Sequence, residues 1–227
     1  MIITISGYPG SGKSTAGKML AKKLRYKFYS IGAIRRAMAK ERGMTLQEFN
    51  VHGEKHAFTD RDVDEWQRKL GQTTDKLVIE GRTSFHFIPH SIKIFFSIDL
   101  GEAAKRIFND PAHTRRFEAS HHYTTVKQLE HGLRGRIASD TRRYKKYYGL
   151  NIFKKNNYNL IVDTTKLTPE QTFSKVTGYL AKSSIKKESG DKQGVKTRVV
   201  HKPKKVQISK SKTQIGAKVR IKSNKKF

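Results

Sequence analysis

GYPGSGKST, residues 7–15, follows directly on the apolar run Ile2-Ile3-Thr4-Ile5. Gly7, four intervening residues, Gly12, Lys13 and Ser14 meet the P-loop spacing in full. The spacing has physical content. Gly10 and Gly12 permit backbone conformations in which successive N–H groups point into one concavity, a nest for phosphate oxygens. Lys13 brings a mobile charge to the outer phosphates, and the Ser14 hydroxyl suits Mg²⁺. The flanks agree with the loop. Residues 2–5 read as a short buried strand, while Met19, Leu20 and Leu24 share one face of a helix that starts at the loop. The N-terminus of that helix meets the anion. Gly7, Tyr8, Pro9, Gly10, Ser11, Gly12, Lys13, Ser14 and Thr15 are therefore the expected nucleotide-binding loop, with Ser14 the expected metal ligand.

Outward from the loop, strand and helix alternate. Residues 26–32 read as a second strand ending near Ser30, and 33–42 as a helix. Thr45 and Glu48 stand in capping-box register at the head of another helix. TDRDVDEWQRKLG, residues 59–71, opens with acids and is expected to stop at Gly71. Strands are expected at 77–79 and 92–98, and Asp110-Pro111 ends the helix that begins GEAAKRIF. A long polar helix covers 125–148 and stops at Gly149. YNLIVDTT is the last strand, and Thr168, Pro169 and Gln171 open a last helix over 168–182. Five short apolar strands separated by helices predict an α/β, three-layer P-loop fold: a five-stranded parallel sheet with helices on both faces.

The whole chain sets limits. Its 227 residues allow one sizeable domain plus an extension. The absence of cysteine excludes disulfides and thiolate-bound zinc. No stretch approaches the roughly 20 apolar residues of a membrane span. The first residues spell strand and P-loop rather than a cationic leader, so a soluble, cytoplasmic protein without membrane attachment is expected. His52, His56 and His90 stand alone, and His121-His122 lacks spaced ligand partners, so no histidine metal site is expected.

The formal charge of +29 is unevenly spread. Between Lys182 and Phe227, 16 Lys or Arg stand against 2 acids, with no aromatic residue before Phe227. Such a stretch cannot bury a core and is expected to be a disordered basic tail. The expected organisation is a domain over 1–182 and a tail over 183–227. Single and paired cations separated by Ser, Gln, Val and Gly suit the phosphates of RNA, which the tail is expected to bind without reading bases.

Four further places carry a family resemblance. SIGAIRRAMAKERGMTLQEF, residues 30–49, resembles the cytidylate kinase segment in which Ser-x-Gly opens a helix and an arginine grips the acceptor phosphate. That arginine matches Arg36, with Arg35 adjacent. TDRDVDEWQ is similar to the family's acidic helix, with Asp60 and Asp64 on its aspartates. EGR places Arg82 at the acceptor site. RIASDTRRYKKYYG resembles the helix that carries Arg136, Asp140 and Arg143. In AAKRI, residues 103–107, Arg106 matches the second arginine of the family's Arg-Ala-x-Arg-Ile, and Ala103 stands in place of the first. Asp163 sits where the family has its nucleotide-base loop.

The resemblance, to the short archaeal-type branch and over about residues 1–182, implies a monomeric nucleoside monophosphate kinase with a helical lid. Its substrates would be ATP·Mg²⁺ and CMP or dCMP. Lys13, Arg106, Arg136 and Arg143 would be catalytic. Arg36, Asp64, Arg82, Arg136, Asp140 and Arg143 would bind the substrate. Asp110-Pro111 replaces the family's Arg-Glu of the lid, and Arg115 and Arg116 are the candidates to serve there instead. The residues themselves agree in part. Arg136, Asp140 and Arg143 fall on one helical face, and Arg82 follows a strand C-terminus, where ligands of parallel sheets sit. Glu80 and Asp99, at strand ends, are candidates to orient waters on Mg²⁺, with a helix cap the alternative for Asp99. Arginines that read phosphate do not choose the base, so another nucleotide or a nucleic-acid end is an alternative acceptor. A P-loop module on RNA or the ribosome with little turnover is the alternative of another class.

Overall fold

The computed structural model describes residues 1–55, 58–110 and 123–190, without the side chains of 46, 47, 54–62 and 184–190. The stretch expected to carry the lid arginines Arg115 and Arg116, and nearly all of the expected tail, lie outside the described residues, as does the side chain of Asp60.

Five strands form one parallel sheet in the order β2-β3-β1-β4-β5. They are β1 (Ile2–Gly7), β2 (Lys27–Ser30), β3 (Leu77–Glu80), β4 (Ile92–Ser97) and β5 (Leu160–Asp163). The central β1 is buried at every residue, as a strand covered on both faces must be. Pleating divides its neighbours between two cores. Val78 joins Ile3, Ile5, Ile94 and Phe96 beneath α1 (Lys13–Leu24) and α8 (Pro169–Gly190), through Leu20, Val176 and Leu180. Leu77 and Ile79 face the other way, with Ile2, Ile31, Val63 and Ile88. That second layer holds α2 (Ile31–Glu41) and α4 (Phe58–Thr73), beside α3 (Leu46–Lys55) and the short α5 (Ser84–Phe87). A third cluster joins α6 (Leu100–Asn109) to α7 (Val126–Tyr148) through Ala103, Ala104, Ile107, Leu129 and Leu133.

Local chemistry sets the ends. Thr45 and Glu48 form their reciprocal box, at 3.2 and 2.7 Å, as do Thr168 and Gln171, at 3.2 and 2.9 Å. Gly149 closes α7 at φ 65°. Asp99 accepts from the Glu102 N–H at 3.0 Å and so caps α6. Other expectations are corrected. Helix α2 begins at Ile31, because the Ser30 hydroxyl accepts from the Ala33 N–H and caps it there. Helix α4 runs through Gly71 to Thr73. A Cβ at Gly71 would lie 2.9 Å from the buried Ile88 side chain, so this glycine permits close packing and does not stop the helix. Helix α8 continues past 182 to Gly190, since nothing between breaks it. Met1–Ser189 form one compact unit. Among the described residues, no helix is long and apolar enough to cross a membrane.

Candidate active site

The carboxyl ends of the strands open onto a cleft of about 890 Å³. Residues 9–15 form one wall. Gly7 ends β1 at φ 144°, where a Cβ would meet the Phe96 carbonyl oxygen at 2.2 Å; the loop leaves the sheet there because β4 lies so close. Gly10, at φ 74°, lets the loop settle on α6, since a Cβ would come within 2.9 Å of the Ala103 carbonyl oxygen. The Ser11 hydroxyl donates to the Tyr8 carbonyl at 2.8 Å. Lys13 folds back into its own loop, donating to the same carbonyl and to Ser11 Oγ. Burial lowers its pKa to about 7; Glu80 opposes that shift, and Arg82 and Arg136 add to it.

Glu80, the last residue of β3, accepts from Ser14 Oγ at 3.1 Å and from Ser30 Oγ at 2.5 Å. A carboxylate and two hydroxyls converging at the loop form a hard-oxygen donor set, which fits Mg²⁺. The other walls are cationic. Arg35 and Arg36 come from α2, Arg82 from the turn after β3, Arg106 from α6, and Arg136 and Arg142 from α7. Burial, and then the neighbouring Arg82 charge, lower the Arg136 guanidinium to about 10.

Behind this wall a network holds the arginines. Arg82 Nε pairs with Asp140 Oδ2 at 2.6 Å, and Arg143 Nη2 donates to Asp140 Oδ1 at 3.0 Å. Arg143 also donates to the Tyr144 hydroxyl at 2.9 Å and to Asn50 Oδ1 at 3.1 Å. Arg35 donates to that same Asn50 oxygen at 3.0 Å. On the opposite side Arg106 donates to Glu102 at 3.0 Å and to the carbonyls of Thr164 and Thr165 at 3.0 and 2.9 Å, tying α6 to the loop after β5. Asp163 turns that loop by accepting from the N–H and hydroxyl of Thr165.

Most expected site residues meet here, but not all reach the cleft. Pro9 to Thr15, Arg36, Arg82, Arg106 and Arg136 line it. Gly7 and Tyr8 lie beneath the loop, and Asp64, Asp140 and Arg143 stand behind the wall. Arg143 is 2% exposed and Asp64 takes the Tyr148 hydroxyl and the Gln67 amide, so these hold other side chains in place. Asn50 was absent from the sequence expectations. Its signal lies in three dimensions, where α3 meets α2 and α7.

Residues 2–166 match the model of the cytidylate kinase-like family. The chain belongs to that family. The cytidylate kinase of Methanosarcina acetivorans is 35% identical over 175 residues, 76% of this chain and 92% of that protein. The cytidylate kinase of Methanocaldococcus jannaschii is 34% identical over 185 residues, 79% and 97% of the two chains. As a cytidylate kinase-like protein it is a phosphotransferase of the nucleoside monophosphate kinase class, and the family implies ATP as phosphate donor. A solved shikimate kinase from Bacteroides thetaiotaomicron shares the fold, with a TM-score of 0.55 at 14% identity over 80% of this chain and 98% of that one.

Proposed function

We propose that the protein transfers the γ-phosphoryl group of ATP to CMP or dCMP, giving ADP and the nucleoside diphosphate. One observation carries this reading. Six arginines face a P-loop across a single cleft, a charge pattern suited to two phosphate-bearing ligands end to end. An oxygen of the acceptor monophosphate bonds to the γ-phosphorus as the bond to the β,γ-bridging oxygen breaks. The attacking oxygen is already anionic, so no general base and no covalent intermediate are needed. What remains is positioning and neutralisation of charge.

Loop N–H groups and Lys13 hold the donor phosphates. Ser14 and Glu80, supported by Ser30, would hold Mg²⁺, which would supply charge neutralisation to the donor phosphates. Arg36, Arg82 and Arg136 hold the acceptor phosphate, and Arg106 steadies the donor side. Asp140 and Arg143 keep Arg82 and Asn50 in place. Cytosine as the base is supported by the named relatives and by Asn50. With Oδ1 occupied by two guanidinium groups, Asn50 has its amide N–H groups to offer at the cleft, and cytosine presents acceptors at O2 and N3. Turnover with ATP·Mg²⁺ against CMP, dCMP, UMP, AMP and GMP tests the proposal. The highest kcat/KM is expected with CMP or dCMP. A preference for a purine monophosphate overturns the assignment of the base.

A further inference from the structure

The opposite edge of the sheet carries a second basic surface that phosphoryl transfer does not use. Strands of four to six residues, at roughly 3.3 Å each, set this edge about 13–20 Å from the P-loop. Lys22 and Lys23 close the last turn of α1, Arg25 caps it, Lys27 starts β2 and Lys76 precedes β3. All five are exposed. They are also neighbours: the Lys27 N–H donates to the Lys76 carbonyl at 2.9 Å, and the Arg25 N–H to that of Lys22 at 3.3 Å. Asp75, the carboxylate beside them, is occupied by the Met1 ammonium.

The backbone supplies an independent observation. Arg25, at φ 57°, and Lys76, at φ 53°, are the two non-glycine residues in the left-handed region among the described residues. Glycine adopts that conformation without steric penalty, and a long side chain does not. Both positions fall within this patch, and both carry a cation. At both, a cation stands where the backbone would favour glycine. Helix α8 lies over the same core as the end of α1, since Leu180 belongs to the hydrophobic cluster against which Leu24 and Tyr26 pack. The sequence that follows it, residues 191–227, holds 13 Lys or Arg and one Asp.

We propose that this edge docks the phosphate backbone of single-stranded RNA, independently of the nucleotide cleft. Sequence-independent RNA binding needs cations spaced along a surface and no more. Insertion into a lipid surface needs large apolar side chains as well, and Met1 is the exposed one at this edge among the described residues.

The test uses the full chain and a labelled 20-nucleotide mixed-sequence RNA, titrated by fluorescence anisotropy between about 50 and 200 mM salt. Two variants are compared with wild type: K22Q/K23Q/K27Q, and R25G/K76G. Each lost phosphate contact should flatten the slope of log affinity against log salt by about 0.7, hence by about 2 for the triple variant and about 1.4 for the pair. Binding at low salt should weaken several-fold in both. R25G/K76G relaxes the backbone, so its melting temperature should hold or rise, and a loss of RNA binding is then not a loss of fold. Turnover with CMP should match wild type. Absence of turnover in every form would sink the assigned reaction and leave this proposal standing. Wild-type slopes in both variants would overturn it. So would unchanged RNA binding alongside lost binding to vesicles containing phosphatidylglycerol.

Discussion

Burial among residues 9–15 brings the Lys13 ammonium down to about 7, so in the nucleotide-free protein it is half neutral near pH 7. Donor phosphates beside it favour the charged form and raise its pKa toward the usual lysine range. The sign follows. Between about pH 7 and 10 the complex holds more protons than its separated parts, so nucleotide binding takes up a proton and affinity falls as pH rises, by at most roughly tenfold per unit. Calorimetry at pH 8 in two buffers of different ionisation enthalpy should report uptake approaching one proton; none would refute the linkage. Folding has its own sign. Because the folded pKa lies below the unfolded one, Lys13 opposes folding below pH 7, and that penalty fades as pH rises toward 10. Lys13→Ala should therefore unfold no more easily than wild type at neutral pH. Its turnover should drop by roughly 10²–10³, the scale for removing one preorganised electrostatic stabiliser. Thermal melts and a coupled kinase assay on the same preparation check both halves.

Elements differ in how openly the sequence declares them. The inner strands β1 and β3 were legible because each is a buried apolar run between turn residues, and the caps at Thr45, Thr168 and Gly149 because capping is local chemistry. Gly71 misled because a glycine demanded by packing and a glycine that ends a helix look alike in one dimension. Asn50 was invisible for a related reason: its partners Arg35 and Arg143 lie 15 and 93 residues away. Arg82, Arg36 and Arg136 were placed at the cleft by motif, yet no spacing could say that Asp140 and Arg143 serve from behind it. Two expectations belong at this scale. Gly71→Ala should destabilise by about 1–3 kcal/mol through overpacking against Ile88, read from the urea midpoint at constant slope. Arg143→Met should cost about 3–5 kcal/mol, because buried Asp140 loses one of its two guanidinium partners, and should raise KM for the monophosphate more than KM for ATP. Equal rises in both would show that Arg143 does not support the acceptor wall.

At the scale of the whole molecule, chemistry and charge are separable. The hydrophobic cores, the P-loop and every described cleft residue fall within Met1–Ser189. Much of the charge follows in sequence, with no large run of apolar residues to accompany it. A chain ending at Ser189 should therefore fold, since it retains these cores, and keep kcat/KM for the monophosphate within about twofold of the full chain. Its association with RNA should change far more. If the missing segment touches about 6 phosphates, removing it flattens the salt slope by about 4, at roughly 0.7 per single-strand contact. What remains should be the smaller slope of the Lys22, Lys23, Arg25, Lys27 and Lys76 edge, and K22Q/K23Q/K27Q in the shortened chain should reduce it further. Affinities measured at no fewer than four salt concentrations, beside turnover from the same samples, separate the two roles. Lost turnover in a folded shortened chain would tie the segment to catalysis. An unchanged slope would mean that its cations serve a partner other than RNA.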